Sequence, residues 1–170
     1  MRVESTAPVS VTINQEIATE PDRQAAVDSG FQVKRVWLNL ETGQEVSEVP
    51  VGTVVKVRLE VTADGARDYV AVSDPLPAGC EALNTRLAVV DSSLSTQSRS
   101  SYTWDYVELR DDEVNAFADL MSGGTKEIEY LMRATIPGVY RVSGTLAEEM
   151  YVPSHYGLSD SRELKVVKAP

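Results

Sequence analysis

The sequence is short of the groups that do chemistry. It holds one cysteine and one histidine in 170 residues, which leaves no disulfide framework and no cysteine cage for a metal. Basic residues are outnumbered 16 to 26, for a net charge of −10, and the acids are spread along the chain. Phosphate binding needs a clustered basic patch, so nucleic acid and anionic membrane are not expected partners. No run approaches the ~20 apolar residues that span a bilayer, so direct membrane insertion is not expected either. No apolar run follows Met1-Arg2-Val3-Glu4-Ser5, so no signal peptide is visible. The chain opens as a domain cut from a larger parent, with a Met added, would open. Phosphate-cradling loops, dinucleotide fingerprints and metal-ligand spacings are missing as well. Neither an enzyme nor a cofactor is expected.

What is present is a core and a rhythm. Apolar residues make up 42% of the chain, enough to bury and too many for a disordered segment. Short alternating runs recur with turn signals between them. Val54–Val61 sends Val55, Val57, Leu59 and Val61 to one face and Lys56, Arg58 and Glu60 to the other. Phe31–Leu40, Tyr69–Val72, Tyr102–Leu109, Val114–Ala118, Glu127–Ile136, Val139–Val142, Thr145–Val152 and Glu163–Val167 read as further strands. In Asp74-Pro75-Leu76-Pro77-Ala78-Gly79 the two prolines should end pairing. No helix of three turns stands out. The expectation is an all-β, two-sheet antiparallel β-sandwich of Ig-like or macroglobulin-like type, with little helix.

Residues 1–29 form a separate N-terminal segment, with a strand over 8–13 and a polar excursion after it. It is either the tail of a preceding domain or part of this one, and a short helix around Gln24–Val27 is one option. Residues 30–170 form the sandwich domain. Residues 91–101 read as a polar loop.

Each reactive candidate has a plain alternative. Cys80 has no base nearby in sequence and reads as an idle apolar thiol. Ser154, His155 and Asp160 cluster in one loop, whereas a triad is assembled by geometry across a fold. Asp111-Asp112-Glu113 lacks the spaced oxygens and glycine of a calcium loop and reads as a solvated hairpin turn. Trp37 and Trp104 lie inside strands and read as core.

One stretch breaks the rhythm: Ala147-Glu148-Glu149-Met150-Tyr151-Val152-Pro153-Ser154-His155-Tyr156-Gly157. On a strand, Leu146, Glu148, Met150 and Val152 share one face, and Ala147, Glu149 and Tyr151 the other. A carboxylate therefore falls among apolar neighbours on either face. Buried, it needs a partner, with Arg133 or Arg141 the candidates. Otherwise that face is a docking surface and not core.

Several runs resemble a known family, the bacterial alpha-2-macroglobulins. Asp74-Pro75-Leu76-Pro77-Ala78-Gly79 with Glu81-Ala82-Leu83-Asn84 is similar to a run in their last macroglobulin-like domain. Trp104–Glu113, Tyr130-Leu131-Met132-Arg133-Ala134-Thr135 before Pro137-Gly138, and Ala147–Pro153 resemble further runs of that domain, in the same order. Gly30-Phe31-x-Val33-x-Arg35 resembles its first strand. The likeness covers about residues 30–168. Tyr106, Ser154 and Leu158 depart from it where the family often has His, Glu and Arg.

The resemblance implies a non-catalytic domain of a broad-spectrum endopeptidase trap. In that family a protease cuts a bait region and a thioester captures the attacker, while this domain packs against the thioester domain and helps keep water out. The thioester motif is Cys-x-Glu-Gln, and Cys80-Glu81-Ala82-Leu83 does not carry it. The implied partners are the parent's own thioester domain and, through the parent, host or competitor proteases. The implied location is periplasmic or otherwise extracytoplasmic. Met150, Tyr151, Pro153 and Tyr156 are the expected interdomain contact residues, with core packing of Met150 and Tyr151 the competing reading. The alternative to the whole scheme is an Ig-like adhesion module of a surface or envelope protein.

Overall fold

The computed structural model describes residues 24–84 and 103–168, with positions 8, 10 and 12. The expected strand over 8–13 and loop over 91–101 lie outside the described residues. Within them the chain forms strands and no helix. In chain order these are β1 (Val27–Ser29), β2 (Phe31–Asn39), β3 (Glu48–Pro50), β4 (Val54–Ala63), β5 (Arg67–Pro75), β6 (Cys80–Ala82) and β7 (Tyr106–Leu109). They continue as β8 (Glu113–Met121), β9 (Gly124–Ala134), β10 (Gly138–Val142), β11 (Leu146–Glu149), β12 (Tyr156–Leu158) and β13 (Arg162–Val167).

One layer is a six-stranded sheet ordered β1-β12-β11-β5-β8-β7. A four-stranded sheet, β2-β4-β9-β6, and a three-stranded one, β10-β13-β3, complete the sandwich. Among the described strands every ladder is antiparallel except that between β13 and β3, and an isolated parallel bridge joins Gly30 to Tyr156. Val51 and Gly52 donate to Val167 and Ala134 at 2.8 and 2.7 Å, tying the two smaller sheets together. All three feed one core: Val57 and Ile128 from the four-stranded sheet, Val72 and Ala116 from the six-stranded, Leu164 from the three-stranded. The alternation over Val54–Ala63 holds without a break. Its odd-numbered residues are buried, and Arg58 and Lys56 pair with Glu129 on the other face.

Sequence pattern and structure differ in several places; the run expected over Tyr102–Leu109, for one, is strand from Tyr106 on, and Trp104 lies before it. Gln24–Ala26 have no regular structure and Val27–Ser29 is a strand, because the ladder to Leu158–Tyr156 outweighs weak helix propensity. Pairing in β5 runs on through Asp74 and Pro75 to Val114 and Glu113. It can do so because the other neighbour, β11, reaches only Ser73, so Pro75 faces a single partner strand. The run expected over Thr145–Val152 stops at Glu149, where turns take over.

Gly30 is the corner of the sandwich. At φ +110° the chain leaves the six-stranded sheet and enters the four-stranded one, a conformation L side chains rarely adopt. Opposite it, a Cβ on Gly157 would lie 2.0 Å from the Phe31 carbonyl oxygen. The two sheets approach this closely only through a glycine.

Candidate functional site

The hairpin tip between β11 and β12 is built from local hydrogen bonds. Val152 N–H donates to the Glu149 carbonyl at 2.9 Å and His155 N–H to the Val152 carbonyl at 2.8 Å. Glu149 N–H then donates to the His155 carbonyl at 3.0 Å, and the chain returns as β12. Two outside contacts fix the tip on the sheet. Met150 N–H reaches the Tyr69 carbonyl at 2.9 Å, and the Ser29 hydroxyl reaches the Ser154 carbonyl at 2.8 Å.

The two acids of this stretch differ in their surroundings. Glu149 accepts from His155 Nδ1 at 2.7 Å and from the Asp68 N–H at 3.3 Å. The histidine contact, above all, holds its carboxyl below the usual carboxylate range. Neither expected arginine takes this part, since Arg141 pairs instead with Glu163 at 3.3 Å and the tip closes on His155. Glu148 points to the opposite face and lines a groove with Ala71, Phe117, Leu146 and Met150.

All four expected contact residues lie at the surface. Met150 is 49% exposed, Tyr151 75% and Tyr156 38%, with Pro153 exposed beside them. Tyr151 meets Tyr69 edge-on, ring centroids 5.3 Å apart at 86°. Tyr69 is the described residue, glycine aside, that has positive φ, at +52°, a bulky side chain in a region that costs ~1–3 kcal/mol. Its ring, half exposed, joins the apolar tip. Sequence pattern gave no warning of it, because Tyr69 begins a run expected as an ordinary strand; in the fold its carbonyl accepts the Met150 N–H of the tip.

The reactive candidates are brought to rest elsewhere. Asp160 accepts from Ala26 N–H at 2.7 Å, and Ser154 and His155 are engaged in the tip, so they form no triad. Arg110 binds Glu108 and Glu113 in the acidic turn. No group of acids, histidine or cysteine suited to a metal ion occurs among the described residues. Burial pushes the Cys80 thiol up to about 11, the wrong direction for a nucleophile. Trp37 and Trp104 are buried.

The stretches that carried the family resemblance meet inside the fold. Asp74, fully buried, accepts from Arg35 Nη1 at 2.8 Å, Tyr130 Oη at 2.6 Å and Thr145 Oγ1 at 2.7 Å. Arg35 Nη2 donates to the Ser143 carbonyl at 2.9 Å. Three distant motifs thus converge on one carboxylate.

Residues 30–154 match the family model described as the Bacterial Alpha-2-macroglobulin MG10 domain. The chain belongs to this family. It is 33% identical over 154 residues to an alpha-2-macroglobulin of Xylella fastidiosa, covering 84% of this chain and 9% of that protein. It is 30% identical over 148 residues to the alpha-2-macroglobulin of Escherichia coli strain K12, covering 81% and 9%. The MG10 chain therefore spans under a tenth of these curated relatives. Among solved structures, Salmonella alpha-2-macroglobulin reacted with methylamine superposes with a TM-score of 0.69 at 30% identity, over 85% of this chain and 10% of that one. Trypsin-activated alpha-2-macroglobulin from Escherichia coli gives 0.73 at 26%, over 84% and 11%.

Proposed function

We propose that this MG10 domain is a non-catalytic part of a protease-trapping alpha-2-macroglobulin, and that its β11–β12 tip rests against the thioester domain of the parent. Met150, Tyr151, Pro153 and Tyr156 form the contact, and they keep water from the thioester until a protease triggers the molecule. The observation that carries this reading is the tip itself: large apolar side chains left exposed on a turn that hydrogen bonds hold in place. Side chains left in water at this density gain ~25 cal/mol per Å² when covered. A polarizable thioether and flat rings suit the exclusion of water from a hydrolytically labile bond. The relatives solved after trypsin activation and after methylamine treatment support a parent that responds to proteases and to amine nucleophiles. Such a parent works outside the cytoplasm, where it meets host or competitor proteases.

The test uses the full-length parent. Met150→Ser and Tyr151→Ser remove exposed side chains, so the fold should persist. Amine-reactive thioester should then decay faster before any protease is added. A decay rate equal to that of the unaltered parent would sink the shield.

A further inference from the structure

The outer face of the six-stranded sheet carries two cross-strand rows. One runs Tyr106, Phe117, Ala71, Glu148, Tyr156, each opposite the next. The other runs Glu108, Asn115, Ser73, Leu146, Leu158. Between them lies a groove of about 230 Å³ with Ala71, Phe117, Leu146 and Met150 as apolar walls. Glu148 stands among these walls, half-buried, and no donor reaches its carboxylate among the described residues. The other polar groups of the lining are already engaged. The Ser73 hydroxyl and the Asn115 amide both donate to Glu113, at 2.8 Å.

A carboxylate left without a partner between apolar walls calls for a cation from outside. The chain's own arginines nearby in the fold do not supply it: Arg67 is paired with Asp64, and Arg110 with Glu108 and Glu113. Asp119 adds further negative charge on β8. We propose that this groove receives an arginine side chain from a segment of a partner protein, with Glu148 as its counter-ion. The alkyl stem lies along Ala71, Leu146 and Met150, and the planar guanidinium engages the carboxylate beside the Phe117 ring. Phe117 is itself stacked on Tyr106, centroids 6.2 Å apart, which backs the aromatic wall. Met150 borders both this groove and the tip, so one partner could span them. The arginine site does not depend on a thioester, however, and the two readings can fail separately.

The test is a methyl-detected NMR titration of this chain with the peptide acetyl-Leu-Arg-Leu-amide. Its citrulline analogue, equal in shape and without charge, is run in parallel. The arginine peptide should shift the Ala71, Leu146 and Met150 methyl signals saturably. Citrulline in the peptide, or Glu148→Gln in the chain, should weaken binding about tenfold, the effect of losing one charge-assisted hydrogen bond. Equal affinity for the citrulline peptide would reduce the groove to an apolar patch and overturn the assignment. Equal affinity for a lysine peptide would overturn the guanidinium part, and an absence of saturable shifts would overturn the whole. If Glu148→Gln fails to fold, the citrulline comparison on the unaltered chain still decides.

Discussion

The guanidinium of Arg35 lies 2.8 Å from the carboxylate of Asp74, and both side chains are closed off from water, at 1% and 0% exposure. Such a pair is not a simple gain, because the desolvation of two charges offsets their attraction. Removing one partner, by contrast, leaves a charge stranded. Asp74→Ala should cost about 3–5 kcal/mol in urea unfolding, while a combined Arg35→Met, Asp74→Leu replacement should recover much of it. Lys165→Gln, which breaks a pair half exposed on both sides, should cost under about 1 kcal/mol. Equal costs for Asp74→Ala and Lys165→Gln would show that the buried pair does not organise the core.

Tyr130 bears on the same carboxylate. Burial, and then the charge of Asp74, raise its phenol well above the ordinary value of 10.0. The sign follows directly: the folded state holds this proton more tightly than the unfolded state. Its contribution is intact below the unfolded value and is lost as pH rises from there toward the folded one. Ultraviolet titration should therefore show one tyrosine that ionises only as the chain unfolds. Tyr130→Phe should abolish that late phase and cost about 1–3 kcal/mol at neutral pH by stranding a carboxylate oxygen. A late phase that persists in Tyr130→Phe would assign it to another tyrosine.

How much of this was legible beforehand depends on distance along the chain. The strand over Val54–Ala63 announces itself, since its side-chain period needs only local sequence. The Arg35–Asp74–Tyr130 cluster does not, because its members lie 39 and 56 positions apart and only the folded register brings them together. Val27–Ser29, Glu48–Pro50 and Tyr156–Leu158 are too short to show a period at all, and their partners impose them. The tip residues Met150 and Tyr151 stood out because they broke a pattern. The partner of Glu149 was missed although His155 is six positions away, since the two turns between them reverse the direction in which a strand would have aimed it.

That glutamate gives an acid-side prediction. Its folded carboxyl is lowered, chiefly by the His155 hydrogen bond, so the stability it contributes is present above the ordinary value of 4.5. It disappears as pH falls through the lowered one. His155→Ala should therefore reduce the thermal midpoint at neutral pH, and the gap to the unaltered chain should narrow as pH drops below about 4.5. A gap that stays constant across this range would mean the histidine acts by packing alone.

Two glycines provide the last contrast, and it tests the corner on which the tip is mounted. A Cβ on Gly157 would sit 2.0 Å from the Phe31 carbonyl oxygen and 2.9 Å from its side chain. Neither neighbour can move freely, because Phe31 is fully buried and its backbone pairs with Ala63. Gly157→Ala should push β12 away from β2 and cost several kcal/mol, on the order of other overpacked core changes. Gly65 has nothing within 4 Å of its virtual Cβ and does not need positive φ. Gly65→Ala should be neutral or raise stability by about 0.4–1 kcal/mol, through the entropy of the unfolded chain. Urea midpoints of the two variants give the comparison. If Gly157→Ala were as stable as Gly65→Ala, the close passage of β12 over β2, and with it the fixed position of the tip, would have to be abandoned.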